Sequence, residues 1–245
     1  MTSFVSAIRE RYLHTLERIA QAARLVGREP QAVRLVVVTK SQPLEVVEAA
    51  IQAGVQHLGE NYPEEAVEKI ARLSGYSGVE WHMIGHVQSR KARLVVDHFD
   101  WLHSLDSLKL AERLNRFCAE RNRVLPVLLE FNVGGEESKF GWPAWEENQW
   151  ESLTTDISRL LQLQNLRICG LMAMPPLGER GEDSRPYFQK LRRLRDFLAG
   201  CFPQVTWTEL SMGTSADFEV AVQEGATLVR VGTAILGPRP YQKEK

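Results

Sequence analysis

The stretch VRLVVVTK, residues 33–40, decides the fold class of this chain. Its run of β-branched and other apolar residues is typical of a strand buried on both faces, as strands in parallel sheets are. Before it, residues 3–26 repeat apolar side chains at three- and four-residue steps, which predicts an amphipathic helix that ends at Gly27. The chain therefore begins with an extra helix and then enters a parallel sheet.

Strand and helix patterns alternate from that point onward. Apolar runs predict eight strands, at 33–39, 56–59, 79–84, 100–104, 124–133, 166–174, 205–211 and 227–231. Amphipathic patterns between them predict helices near 43–53, 62–73, 88–97, 107–121, 144–163, 184–199 and 215–224. This alternation over 245 residues predicts a single (β/α)8 TIM barrel domain spanning residues 1–245. An open doubly wound sheet is the alternative.

Composition argues against several classes of protein. Lys and Arg total 30 against 31 Asp and Glu, so no excess of positive charge is available for a nucleic-acid backbone. The longest apolar runs are too short to cross a bilayer, and the first residues lack the apolar core of a signal peptide. Three cysteines lie far apart with no CxxC pair, which is typical of a reducing compartment. We expect a cytoplasmic protein that binds neither nucleic acid nor membranes.

Lys40 is the first candidate functional residue. In a TIM barrel the functional groups lie on loops after the carboxyl ends of the strands, and Lys40 comes directly after the first predicted strand. A lysine held among partly apolar walls loses solvation, which favours its neutral amine, the form that makes a Schiff base. The alternative is a lysine whose ammonium group reaches solvent from a strand end.

Small residues cluster after the last two predicted strands. Residues 209–219, ELSMGTSADFE, lead from a strand into a helix, and residues 228–237 read LVRVGTAILG, with Arg230 inside an otherwise apolar strand. Loops in these places often hold phosphate in TIM barrels. The alternative for the first segment is an ordinary capped turn with Ser215 as the N-cap. The two clusters together predict a phosphate site.

Other polar segments follow the middle strands. Glu60 and Asn61 are placed to orient a ligand. His82 and His86 straddle a strand end, so the helical spacing of metal ligands is not implied, and we expect no metal site. The segment 142–150, WPAWEENQW, is interpreted as packing aromatics at a helix start, with a surface for a protein partner as the alternative.

Seven ordered segments resemble the pyridoxal phosphate (PLP) homeostasis proteins, the YggS/PROSC family. They are VVVTKSQP, LGENY, WHMIGHVQSRKAR, GGEESKFG, GLMAMP, SMGTSADFEVAV and VRVGTAILG, and they extend from about residue 33 to residue 237. The resemblance implies a fold-type III PLP protein whose barrel is similar to that of alanine racemase. It also implies a monomer with PLP as its cofactor.

The resemblance implies a role for each matching residue. Lys40 would form the Schiff base with PLP, and Asn61 would lie beside the cofactor ring. Arg230 would face the pyridine nitrogen. The phosphate-binding positions would be Ser211, Gly213, Gly232 and Thr233.

The leading expectation is a protein that binds PLP, helps to regulate its supply and has no catalytic residues of its own. A protonated arginine leaves the ring nitrogen unprotonated, which makes the ring a weaker electron sink. Racemisation needs an acid–base group on each face, and we expect none on the second face because the chain ends shortly after the last strand. The alternatives are a single-domain PLP-dependent amino-acid racemase and a class I aldolase-type barrel that uses Lys40 without PLP.

Overall fold

Eight parallel strands form the wall of a closed barrel. The computed structural model describes residues 3–176, 178 and 180–238. The barrel strands are β1 (Arg34–Val38), β2 (His57–Glu60), β3 (Glu80–Met83), β4 (Trp101–Leu105), β5 (Leu125–Asn132), β7 (Leu166–Met172), β8 (Glu209–Ser211) and β9 (Leu228–Val231). Each pairs with the next in this order, and pairing of β9 with β1 closes the ring. The predicted TIM barrel is confirmed, and the open sheet is excluded.

One short strand lies outside this ring. β6 (Trp142–Pro143) pairs with the end of β5, where Phe131 lies opposite Trp142. The sequence did not predict it, because two residues carry no periodicity.

Helices surround the barrel. They are α1 (Ser3–Leu25), α2 (Leu44–Gln52), α3 (Pro63–Arg72), α4 (Ala92–His98), α5 (Leu108–Glu120), α6 (Leu153–Leu160), α7 (Arg185–Cys201), α8 (Phe218–Gln223) and α9 (Thr233–Leu236). The extra N-terminal helix α1 packs against α2, α8 and α9. Arg18 on α1 donates two hydrogen bonds of 2.9 Å to the carboxylate of Glu219 on α8. Within the described ranges, no helix combines the length and apolar character that crossing a bilayer requires.

The alternation of side chains along β1 explains why both faces of this strand are apolar. Leu35 and Val37 belong to the core between the strands and the helices. Val36, which points the opposite way, packs inside the barrel with Leu128 and Leu228. Successive side chains of a strand point to opposite faces, so a strand covered on both sides reads as a continuous apolar run.

Some predicted elements differ from the observed ones. The strand predicted at 205–211 is formed only at its end, because the Trp207 indole N–H donates to the Phe202 carbonyl and holds the preceding chain in a turn. The helix predicted at 215–224 begins at Phe218, because one carboxylate oxygen of Asp217 accepts both the backbone N–H and the hydroxyl of Thr214.

The helix predicted at 144–163 is also partly wrong. Its first half is a 3-10 segment, Glu147–Ser152, and α6 begins only at Leu153. The Trp150 indole donates to the carbonyl of Ala144 at 3.1 Å, which ties this segment to its own start.

Candidate functional site

A cavity of about 730 Å³ opens at the carboxyl ends of the strands. Five of the seven predicted site residues line it, although the chain separates them by up to 193 positions: Lys40, Asn61, Arg230, Gly232 and Thr233. Ser211 and Gly213 are buried beside it and are not part of its wall. The closed barrel therefore brings most of the predicted residues together.

Lys40 lies two residues beyond the end of β1 and is half-buried in the cavity wall. The next residue, Ser41, has a φ of 55°, so the chain turns sharply there, and Pro43 precedes α2. This short, turned connection holds the lysine at the mouth of the barrel. Its placement matches the prediction, while its covalent role stays a prediction.

A buried ion pair supports the same loop from behind. Lys69 on α3 donates to Glu60 Oε1 at 2.8 Å and to the carbonyl of Thr39 at 3.0 Å. The Thr39 hydroxyl donates to the same Glu60 oxygen at 2.7 Å. Glu60 is fully buried and does not line the cavity, so its expected part in orienting a ligand is not supported. It instead fixes the residue that precedes Lys40.

Asn61 offers an unpartnered polar group. Its Oδ1 is buried and has no hydrogen-bond partner among the described residues. Gly85 packs directly against this turn, since a Cβ there would lie 2.4 Å from the Asn61 carbonyl oxygen. A buried polar atom without a partner costs about 1–3 kcal/mol. A ligand in the cavity that hydrogen-bonds to Asn61 would remove that cost.

Arg230 on β9 places a buried cation at the same cavity. Its guanidinium donates to the Ser211 hydroxyl and, at 3.0 Å, to the carbonyl of Ala173. Burial lowers the pKa of Arg230 to about 10, while the charges of Glu130 and Asp217 oppose that shift. The group therefore remains protonated near neutral pH and acts only as a donor.

Ser211 faces the barrel interior, not the cavity. Its hydroxyl lies 2.9 Å from His103 Nδ1 and receives a hydrogen bond from Arg230. His103 Nε2 in turn lies 3.0 Å from His82 Nδ1. Burial holds the pKa values of both histidines well below their usual range. The predicted contact of the Ser211 hydroxyl with phosphate stays a prediction, and the structure gives this hydroxyl two other partners.

The loops after β8 and β9 meet at the cavity wall. The Gly232 N–H donates to the Ser215 hydroxyl at 3.4 Å, which joins the two loops. Gly213 has a φ of 93°, and a Cβ there would lie 2.5 Å from the Ala221 Cβ, so only glycine fits. The backbone N–H groups of Ser215, Ala216 and Thr233 donate to no acceptor among the described residues. These donors are available to an anion.

Glu130 is a site residue that the sequence reasoning missed. It lines the cavity on β5, and its Oε2 is buried without a hydrogen-bond partner in the described part of the chain. Burial, together with the charge of Asp106, raises the pKa of Glu130 to about 7, against the opposing charges of Arg230 and Lys139. The sequence does indicate that Glu130 is unusual, because a carboxylate rarely lies inside an apolar run such as LPVLLEFN, just as Arg230 is unusual in its strand.

The remaining sequence candidates lie apart from one another. His86 is on the cavity rim, stacked on Phe140 with ring centroids 3.6 Å apart and 2.8 Å from the Asp106 carboxylate. His82 lies inside the barrel, so the two histidines do not converge. In the tryptophan-rich segment, Trp142 and Trp150 are buried, as the packing interpretation predicts, and Trp145 is exposed.

The chain is similar to known proteins over almost its whole length. It matches the family described as alanine racemase, N-terminal domain, over residues 13–240. The pyridoxal phosphate homeostasis protein of Vibrio alginolyticus is 39% identical over 240 residues, which cover 97% of this chain and 100% of that protein. The Aquifex aeolicus protein of the same name is 40% identical over 232 residues, covering 95% and 98%.

Two kinds of solved structure share the fold. PipY of Synechococcus elongatus, solved with PLP bound, superposes with a TM-score of 0.78 at 40% identity and covers 89% of this chain and 100% of PipY. Alanine racemase of Bartonella henselae superposes with a TM-score of 0.65 at 16% identity, covering 97% of this chain and 61% of the racemase. The racemase likeness concerns the barrel fold alone.

The fold and the lysine at the end of β1 define a barrel of the alanine racemase N-terminal domain class. Within that class, identity near 40% over nearly the whole chain separates the homeostasis proteins from the racemases. This chain belongs to the pyridoxal phosphate homeostasis (YggS/PROSC) family, which confirms the resemblance seen in the seven sequence segments.

Proposed function

We propose that this protein binds PLP as a Schiff base on Lys40 and serves PLP homeostasis without efficient catalysis of its own. The observation that carries the proposal is the convergence of Lys40, the unpartnered Asn61 amide and the buried Arg230 guanidinium on one cavity. PLP supplies an aldehyde for the amine, a pyridine nitrogen that accepts a hydrogen bond, and a phosphate. A homologue of 40% identity, PipY, has been solved with PLP bound.

The phosphate is assigned to the loops after β8 and β9. Thr233 offers a hydroxyl and a backbone N–H, and the N–H groups of Ser215 and Ala216 add two further donors at the same wall. Hydrogen bonds to a charged group contribute about 1.5–3 kcal/mol each. Gly213 and Gly232 contribute by having no side chain where the backbone must pass closely.

Arg230 supports the expectation of weak catalysis. A guanidinium that stays protonated can only donate, so a pyridine nitrogen opposite it stays an unprotonated acceptor. Such a ring stabilises a carbanion less well than a ring whose nitrogen is paired with a carboxylate. The related proteins are also named for homeostasis, not for a reaction.

A racemase is the second candidate function, and one observation favours it. Glu130 lines the same cavity, and its pKa of about 7 is the value expected of a group that exchanges protons at neutral pH. Incubation of the PLP-loaded protein with amino acids in deuterium oxide separates the two functions. We expect little exchange at the α-carbon; rapid exchange that is lost in Glu130→Gln, together with conversion of one enantiomer to the other, would establish the racemase.

The absorption spectrum of the full chain tests the Schiff base. We expect PLP to produce a visible band that borohydride removes, with the reduced adduct on the peptide that contains Lys40. Lys40→Ala should lack both the band and the adduct. Lys91→Ala is the matched control, because Lys91 lines the same cavity from the connection between β3 and α4. A full band in Lys40→Ala would place PLP on another lysine.

A further inference from the structure

Three side chains that can ligate a metal meet at the end of the barrel opposite the cavity. His57 and Glu80 begin β2 and β3, and parallel pairing places them opposite each other. His82, two residues beyond Glu80, is fully buried inside the barrel. None of the three lines the carboxyl-end cavity, so this cluster is separate from the proposed PLP site.

The separations of the three ligand atoms suit a tetrahedral ion. His57 Nδ1 lies 3.3 Å from His82 Nε2 and 3.1 Å from Glu80 Oε2, and the latter two atoms are 3.7 Å apart. Bonds of about 2.0–2.2 Å around a tetrahedral Zn²⁺ place neighbouring ligands about 3.3–3.6 Å apart. An ion bonded to all three atoms would lie just outside their plane and keep a fourth position for water.

The three ligand atoms contact one another, because His57 Nδ1 lies against both His82 Nε2 and Glu80 Oε2. Each of these atoms offers one lone pair to a cation, so a single ion placed between them is bound by all three.

The surroundings favour metal binding. The second nitrogen of His82, Nδ1, is hydrogen-bonded to His103, the kind of contact that orients a ligating imidazole. The Glu80 side chain is 45% exposed, so ions reach the cluster from solvent. The nearby Arg34 is paired with Glu209 at 2.6 Å, which offsets its charge.

We propose that His57 Nδ1, His82 Nε2 and Glu80 Oε2 form a binding site for a divalent transition-metal ion. Two imidazoles and one carboxylate are a ligand set typical of Zn²⁺, and sites of three protein ligands leave the fourth position to water.

Calorimetric titration of the full chain with Zn²⁺ near neutral pH tests the site. We expect one ion per chain, and tetrahedral Co²⁺ should show its intense visible d–d absorption. His57→Ala and the nearly isosteric Glu80→Gln should each weaken Zn²⁺ binding by at least about tenfold. Loss of a residue that only hydrogen-bonds to a metal ligand already weakens metal binding about 10–100-fold, and loss of a ligand should weaken it at least as much. His14→Ala, which removes an exposed histidine on α1, should bind as the unchanged protein does.

The same measurements can overturn the proposal. Circular dichroism of the metal-free variants shows whether they fold, and Glu80→Gln retains the size of the side chain if His57→Ala does not fold. Absence of Zn²⁺ binding to the unchanged protein would refute the site. Binding that persists undiminished in a folded His57→Ala or Glu80→Gln variant would also refute it, because the ion would then lie elsewhere.

Discussion

The two ends of the barrel differ in how their polar groups are partnered. At the carboxyl end, Asn61 and Glu130 present buried oxygen atoms with no partner among the described residues, beside a cavity of about 730 Å³. At the amino end, His57, His82 and His103 contact one another in a continuous series that reaches Ser211. The comparison teaches that a cavity lined by unpartnered buried oxygen atoms, more than a buried polar cluster as such, indicates where a large ligand would bind.

The sharpest contrast between a structural and a functional lysine is between Lys69 and Lys40. Lys69→Met should lower the free energy of unfolding by about 3–5 kcal/mol, because it leaves the fully buried Glu60 without its counter-charge. Lys40→Met should change that free energy little, because Lys40 lies at the cavity wall. Urea denaturation of the two PLP-free variants measures both. Equal losses of stability would contradict this division.

Glu130 should make the stability of the carboxyl end depend on pH. Its pKa in the folded protein is raised from 4.5 to about 7, so between these values the unfolded chain ionises it and the folded protein does not. The contribution of this group is therefore favourable below pH 4.5 and is lost as the pH rises towards 7.

The variant Glu130→Gln removes that dependence. Its stability relative to the unchanged protein should increase from pH 4.5 to pH 7, by at most about 3 kcal/mol, because each pH unit is worth about 1.4 kcal/mol. Urea denaturation across this range, with the exposed Glu137→Gln as the control, measures the difference. A difference that does not vary with pH would show that Glu130 is ionised throughout.

The loops after β8 and β9 should strengthen the binding of PLP by at least about tenfold. Replacement of both hydroxyls in Ser211→Ala/Thr233→Val should weaken PLP binding at least about tenfold, since 1.4 kcal/mol corresponds to a factor of ten. The single variants separate the two positions. Thr233→Val should weaken PLP more than pyridoxal, which lacks the phosphate, whereas Ser211→Ala should affect both equally through Arg230. Unchanged PLP affinity in the double variant would place the phosphate elsewhere.

The smallest expected effect tests whether the two ends are independent. His57→Ala at the amino end should leave the affinity for PLP within about twofold, because three residues, His82, His103 and Ser211, separate His57 from Arg230. Fluorescence titration with PLP measures it. A loss comparable to that of Thr233→Val would show that the histidine series transmits changes to the cofactor end.

Site residues could be predicted from the sequence where a charged residue follows or interrupts an apolar strand. Lys40 and Arg230 were found in this way, and Glu130 could have been, because it interrupts a strand as Arg230 does. The sequence did not reveal contacts that depend on the direction in which a side chain points or on the register between two strands. Ser211 ends its strand like a loop residue, yet its hydroxyl faces the interior, and His57, Glu80 and His82 meet only because β2 and β3 pair in one particular register.

The sequence by itself determined the order of the elements, the barrel class and the strand ends from which the carboxyl-end site is built. These features can be predicted because a strand covered on both faces is apolar throughout. A polar residue that follows such a strand is therefore easy to recognise as a candidate site residue. Only the tertiary structure decided which polar groups partner one another. Side chains alternate between the two faces of a strand, so a single residue of register moves a group from the cavity to the core, and no local pattern records that choice.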